Sequence, residues 1–404
     1  MEREPKKLHR IVGIAMLLTL LLGVMAGEGC GHERPAAENK PTIPTLDLAT
    51  VKLPVPNKLV HTPVEAMDYV GSGVCAGCHP NEAAKHQQTA HARAVRLASV
   101  AKDGAWFRQK EKLTDPDLQT TYTPEVDGKR LLIRTSGNGT TTTTEVNVAI
   151  GSGSHGITYM AVHPDGTCLT PPISTYREKG KLHWNWTPGS REAEELRDPQ
   201  GRTISEGETA SCVGCHSTSV QARLQLNTDR LGIGCERCHG PGATHLQRVT
   251  KDPKGVKAGT VESGIPRLGR LSAEQSLALC NTCHASQDDP DPNGLPSDLA
   301  RAQPQALQMS RCFQQSQGKM TCVTCHDPHA VTETSVNHYE RVCVSCHTPQ
   351  QSKATLCKVN RESGCLECHL SKQTLKAFNT IVFTNHWIRK TLPAPALGST
   401  KTVP

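Results

Sequence analysis

Aromatic residues are scarce in this chain: four Trp, five Tyr and four Phe among 404 residues. Hydrophobic residues make up 36%, against roughly 45–50% in ordinary globular chains on a slightly different residue list. An ordinary aromatic-rich core is therefore not expected, and something other than side chains is expected to fill the interior. Methionine is short as well, with only Met67, Met160, Met309 and Met320 beyond the N-terminal segment. The composition excludes a multi-span membrane protein, a coiled coil and a collagen-like chain. No basic run is long enough to argue for a nucleic-acid partner. What the chain has in excess is 18 Cys and 19 His.

Fourteen of the cysteines share one pattern, CxxCH, repeated seven times. The copies are Cys75, Cys78 and His79; Cys212, Cys215 and His216; Cys235, Cys238 and His239; Cys280, Cys283 and His284; Cys322, Cys325 and His326; Cys343, Cys346 and His347; and Cys365, Cys368 and His369. Chance would give on the order of 0.04 such pentads at this Cys and His frequency. Four cysteines stand outside the pattern: Cys30, Cys168, Cys312 and Cys357. Cys312 and Cys357 flank the last three motifs and are the candidate disulfide pair. Cys168 is either free or bonded to one of them.

The chemistry of the pentad is attachment of haem c. Two thiols at i and i+3 lie on one turn, match the separation of the two vinyl groups, and leave the following His directed at the iron as proximal ligand. Zinc would need pairs converging without an obligatory His after each. A thiol–disulfide site would need one pair in a βαβ context. Seven covalent haems are therefore expected. The sixth ligands must be mostly His, since four Met cannot serve seven irons and eleven non-motif His lie beyond the N-terminal segment. Bis-His ligation lowers the potential relative to His/Met.

Four segments resemble the cytochrome c-554-type multihaem cytochromes of bacterial envelopes. They are Tyr69-Val70-Gly71-Ser72 before the first pentad with Ala90-His91-Ala92 after it; CERCHGPGATH, ending at His245; Arg311-Cys312-Phe313 followed by KMTCVTCHDPH, ending at His329; and Phe383-Thr384-Asn385-His386-Trp387-Ile388, with Asn where the family has Asp. The resemblance covers about residues 68–100 and 200–390. It implies that His91, His245, His329 and His386 are distal ligands. Geometry agrees for His329: it follows His326 by three residues and cannot reach the far face of the same haem, so it should serve another.

Along the chain, residues 1–26 read as a secretory signal, with Lys6, Lys7 and Arg10 ahead of an apolar stretch. An uncleaved membrane tether and lipidation at Cys30 are the alternatives. A Pro-rich linker at 27–67 leads to a first haem segment at 68–116, in which an Ala-rich helix is expected over residues 81–100. Residues 117–199 read as a β-rich insertion, from Thr runs, the alternation Glu145 to Ile150, and Gly-rich turns at Gly137-Asn138-Gly139 and Gly151-Ser152-Gly153. A six-haem region at 200–390 and a tail at 391–404 complete the chain. Within the six-haem region, Ser205 with Glu208 and Ser272 with Gln275 read as capping boxes opening helices that run into a pentad. The expected fold is thus a mainly α or irregular multihaem cytochrome organised around its haems, with a β-rich insertion.

The formal charge is +7. Fourteen propionates would bring the mature oxidised holoprotein to about −2, so the Lys/Arg surplus reads as propionate pairing. The expected role is electron carriage in the periplasm or cell envelope between redox partner proteins, with no catalytic residue. The alternatives are an oxidoreductase of the nitrite or hydroxylamine type with one open haem, and a haem subunit of a larger respiratory complex. The absence of a CxxCK motif and of a Tyr-rich segment argues against the enzyme.

Overall fold

The computed structural model describes residues 68–109, 111–178, 180–187, 190, 198–219, 230–285, 299–348, 357, 359–360, 362–375 and 378–390. The signal, linker, Cys30 and tail expected from the sequence lie outside the described residues. So does the unit Met1–Pro44, and all described residues belong to the unit Thr45–Pro404.

Two short helices open the first haem segment: Ser72–Ala76 (α1) and Pro80–His86 (α2), the latter with Pro at its first position, where the missing N–H costs nothing. The helix expected over 81–100 stops at His86. Thr89 ends it: its hydroxyl donates to the His86 carbonyl at 2.7 Å and accepts from the Ala92 N–H at 3.1 Å. This local pairing closes the chain into a turn and competes with helical continuation. The chain then extends into Val95–Leu97 (β1), paired antiparallel with the strand at Val148–Ile150, before a helix at Val100–Phe107 (α3).

Strands dominate the next hundred residues: Leu113–Asp115 (β2), Thr120–Asp127 (β3), Arg130–Gly137 (β4), Thr140–Glu145 (β5), Val148–Ile150 (β6), Gly156–Val162 (β7), Cys168–Thr170 (β8), Ile173–Glu178 (β9), Lys181–Trp186 (β10) and Arg202–Ile204 (β11). β2 to β5 form an antiparallel meander. The second sheet runs β1-β6-β7-β8-β11, with β9 pairing β7 and β10 pairing β9. The Gly137-Asn138-Gly139 turn joins β4 to β5 with Asn138 and Gly139 at φ 49° and 72°, the left-handed pair that matches strand twist. Gly151 (φ 112°) lies so close to the Gly156 carbonyl that a side chain would not fit.

The two sheets and α3 enclose an apolar cluster of Phe107, Tyr122, Leu131, Ile133, Val146, Ala149, Ile157, Tyr159, Ile173, Leu182 and Trp184. Phe107 meets Tyr159 and Trp184 edge-on at 4.9 and 5.1 Å between centroids. The chain thus does build an aromatic core, against the expectation from its composition, by concentrating its few aromatics in one region.

Beyond β11 the elements shorten: Glu206–Gly214 (α4), Cys235–His239 (α5), Ala243–Lys251 (α6), Pro253–Ala258 (α7), Ala273–Asn281 (α8), Gln303–Gln308 (α9), Arg311–Gln315 (α10), Val336–Cys346 (α11), Cys365–His369 (α12), and a hairpin of Lys372–Leu375 (β12) with Phe378–Thr384 (β13). Both expected capping boxes form. Ser205 and Glu208 open α4, and Ser272 and Gln275 open α8, each serine accepting an N–H and each longer side chain returning the bond.

The fold class is corrected accordingly. Thirteen strands in three sheets lie among the described residues, starting at Val95 and resuming at Lys372. The fold is not mainly α with an inserted β segment. Motif density drew the sequence reading toward the pentads, yet each pentad needs only one helical turn, and the apolar packing resides in the sheets.

Candidate functional site

Each pentad is one helical turn. His79, His284, His326 and His347 donate their backbone N–H to the carbonyl of the first Cys of their own motif at 2.9 to 3.0 Å. α5 and α12 are themselves pentads. The His216 N–H bonds instead to Val213, one residue closer, tightening that turn. In every case the two sulfurs at i and i+3 share a face.

The fold brings pentads together that are far apart in sequence. The Cys75 thiol lies beside that of Cys235, Cys215 beside Cys283, and Cys280 beside Cys322. The Arg237 guanidinium donates to the Cys283 sulfur at 3.4 Å. Burial pushes the Cys238 thiol up to about 11, and Cys280 and Cys283 add to the rise. Burial raises Cys343 to about 11 as well, with contributions from Cys365, Cys325 and Cys312. With Tyr339 of α11 against His326 and the Cys365 N–H bonded to Glu340 of α11, these neighbours make one string: first pentad to third, third to fourth, fourth to fifth, fifth to sixth, sixth to seventh. The second pentad branches from the fourth.

Imidazoles approach each other in three pairs, with ring planes 76°, 22° and 41° apart in the order given. His91 and His284 lie 6.0 Å apart between ring centroids, His239 and His329 6.1 Å, and His326 and His386 6.1 Å. Two imidazoles ligating one metal from opposite sides at about 2 Å would have centroids roughly 6.2 Å apart. The donor chemistry and the spacing therefore fit an iron held between two His. Among the described residues no group of three or more His, Cys, Asp or Glu is arranged to hold a bare metal ion.

Hydrogen bonding fixes the tautomers. His216 Nδ1 donates to the Ala94 carbonyl (3.1 Å), His245 to Ser263 (2.7 Å), His369 to Arg389 (3.1 Å) and His386 to Thr384 (3.0 Å), while His284 Nδ1 meets Gln303 Oε1 at 3.2 Å. That leaves Nε2 with its lone pair free, the arrangement that orients metal-binding imidazoles. Burial pushes His386 down to about 4, and burial lowers His91, His216, His239 and His326 too. These rings are held neutral and ready to bind a cation.

Of the four resemblance-based distal candidates, His91, His329 and His386 each face the proximal His of a distant pentad. His245 sits near His239 but faces no imidazole. Among the described residues no imidazole faces His79, His216, His347 or His369. His86, at the end of α2, is half-buried beside His329 and His91. His338 lines a cleft of about 300 Å³ with Val323 to Pro328. Cys312 and Cys357 are not bonded to each other, and Cys168 is wholly buried in β8.

Sequence reading missed two buried acids, Glu236 inside the third pentad and Glu340 on α11. Both occupy positions that the CxxCH pattern leaves free, or that precede it, so no motif marks them. It also missed Tyr339, whose hydroxyl lies 3.5 Å from His326 Nδ1.

Comparison with known families gives one match: the family described as cytochrome c554 and c-prime, over residues 74–126 and 174–240. The matched segments take in the first three pentads and much of the β region. No curated protein and no solved structure matches the chain.

Proposed function

With the cytochrome c554 and c-prime match as premise, we propose that the chain is a heptahaem c-type cytochrome that carries electrons in the cell envelope. The observation that carries this reading is the set of three imidazole pairs at 6.0 to 6.1 Å, each bringing the His of one pentad to a non-pentad His from a distant part of the chain. Haem supplies a one-electron Fe(III)/Fe(II) couple. The chain's residues do the rest. The fourteen pentad cysteines hold the groups covalently. His79, His216, His239, His284, His326, His347 and His369 ligate from the proximal side. His91, His245, His329 and His386 ligate from the distal side, and neutral His at both positions holds the potential low. The string of adjoining pentads supports a route for electrons with no long gap, and the N-terminal signal pattern supports export. Redox proteins of the envelope are the partners.

Three measurements test it. Mass spectrometry of the mature holoprotein should show roughly 4.3 kDa beyond the polypeptide, at about 0.62 kDa per haem; a gain matching five or fewer defeats the count. His386→Ala should convert one low-spin haem to high-spin with all seven still attached, and an unchanged spin state removes His386 from the ligands. The reduced protein should bind little carbon monoxide. A second reading, an oxidoreductase with one open haem, is favoured by the four proximal His that no imidazole faces among the described residues. Stoichiometric carbon monoxide binding at one haem in seven, together with turnover of nitrite or hydroxylamine, would replace the carrier with the enzyme.

A further inference from the structure

Glu236 and Glu340 are 3% and 4% exposed, and neither forms an ion pair among the described residues. A carboxylate so placed is costly unless hydrogen bonds replace its water. The bonds these two carboxylates find are all to backbone N–H groups: Val70, Gly71 and Cys365 in a neighbouring pentad's segment, and Gly242 just after Glu236's own pentad. Glu236 Oε1 accepts from Val70 at 2.9 Å and from Gly242 at 2.7 Å, and Oε2 accepts from Gly71 at 2.8 Å. Val70 and Gly71 lead directly into α1, which carries Cys75. Gly242 precedes α6, which carries His245. Glu340 Oε1 accepts from the Cys365 N–H at 2.8 Å, the first residue of α12. Glu340 itself stands on α11, which ends in the sixth pentad.

The helices served this way have no cap of their own. α1 and α12 are five residues long and lack any side-chain cap bond. So short a helix is unstable without outside help. Each receives its acceptor from a neighbouring pentad instead. The first and third pentads are also tied in the other direction, since Ser72 Oγ on α1 accepts from the Cys235 N–H at 3.3 Å at the start of α5. The seam is tight: a side chain at Gly242 would meet Val70 at 2.9 Å and the Glu236 carboxylate at 3.1 Å.

From this geometry we propose that Glu236 and Glu340 are positioning residues for the haems. Glu236 locks the first pentad to the third, and Glu340 locks the seventh to the sixth. Each carboxylate is also packed between two pentad segments, where its negative charge would favour the oxidised state of the haems those segments would hold. The inference rests on the haem reading above. It assigns a role to the free positions within and before the pentads.

The test uses the mature holoprotein and the substitutions Glu236→Gln and Glu340→Gln, which keep the shape and one acceptor but remove the charge. Haem count by mass and a spectroelectrochemical titration are read on each, beside the wild type. The expected result is seven haems, with the midpoints of two of them raised and the other five unmoved, a different two in each variant. A merely structural side chain would not move the midpoints of a fully loaded protein. Glu236→Ala should lose haem from the first pentad, and Glu236→Asp should restore it. Seven haems with a titration superimposable on the wild type in both Gln variants, or full loading of Glu236→Ala, overturns the proposal. A wild type that lacks the seven haems would instead overturn the haem reading, so the two failures are told apart.

Discussion

The region from Val95 to Ile204 and the pentad region after it bury different things. The first holds seven of the thirteen aromatics, and its interior is Phe107, Tyr122, Tyr159, Ile133, Ile173 and Trp184 packed between sheets. In the second, buried positions are mostly small or polar: Ala278, Ala300, Ala302, Ala306, Thr209, Ser310, Asn281, Glu236 and Glu340, with a few aliphatics such as Leu277 and Val213. Its helices run from five to eleven residues among those described, lengths at which isolated helices do not persist in water. The β region can be a core by itself. The pentad region is a frame of turns, caps and imidazoles whose apolar filling has to come from elsewhere. That division accounts for the low overall aromatic content better than a uniformly poor core does.

The comparison breaks most readily if haem is withheld. In chain produced without haem attachment, amides of β3 and β4 should keep their protection against hydrogen exchange. Amides of α5, α8 and α11 should exchange at least about a hundredfold faster, a gap of about 3 kcal/mol. Equal protection in the two regions would show that the pentad region needs no filling and would remove the contrast.

A buried polar centre is the next lever, and it acts on the β region alone. Asp103 is fully buried and takes a bidentate bond from Arg96 at 2.7 and 2.6 Å, one from the Ser99 N–H at 3.0 Å and one from the Tyr159 hydroxyl at 2.9 Å; Trp106 in turn donates to Tyr159. Removing Asp103 leaves the half-buried Arg96 charge without its partner and the Tyr159 hydroxyl without its acceptor. Asp103→Ala should therefore lower the stability of the β strands by about 3–5 kcal/mol, read by hydrogen exchange, with haem count unchanged. Haem loss in that variant would mean that the two regions fold as one.

The same carboxyl gives a pH dependence. Burial alone would raise its pKa, but the Arg96 hydrogen bonds, the Ser99 N–H, the Arg96 charge and Tyr159 together hold it below the ordinary value of 3.8. A carboxyl depressed in the folded state stabilises fully above its unfolded pKa and loses that contribution as pH falls through the folded one. Protection of the β strands should thus fall only below about pH 3.8, and Asp103→Asn should flatten the fall. A loss already complete at pH 5 would assign acid sensitivity to other groups.

Sequence made the pentads legible because their residue types and spacing are a purely local signal, repeated seven times. It made the two capping boxes legible for the same reason, and the β4–β5 turn through its Asn-Gly pair. What it missed is non-local. The helix expected over 81–100 ends at His86, and β1 owes its conformation to Val148–Ile150, some fifty residues on. The partner of His284 is His91, and nothing between them announces the meeting. The fold class failed for a related reason: composition averages over the chain, and an average cannot show that seven of the thirteen aromatics sit in one region. Glu236 and Glu340 escaped because a buried acid is visible only once its distant N–H donors are in place.

The smallest effect sharpens the contrast most cleanly. Ser272 caps α8, accepting from the Gln275 N–H at 3.2 Å while Gln275 Oε1 accepts from the Ser272 N–H at 2.9 Å. Loss of such a cap costs about 1 kcal/mol where the helix is formed. α8 runs directly into the fourth pentad, so on the proposed function a group attached at Cys280 and Cys283 would hold it in place in the holoprotein. In the chain without haem the same helix should be largely unformed, and a cap on an unformed helix has nothing to stabilise. Ser272→Ala should therefore lower the holoprotein's stability by about 1 kcal/mol and leave exchange of α8 amides in the haem-free chain unchanged. Equal effects in both forms would mean that α8 stands without the haem, and the pentad region would then have more of a core of its own than its buried residues indicate.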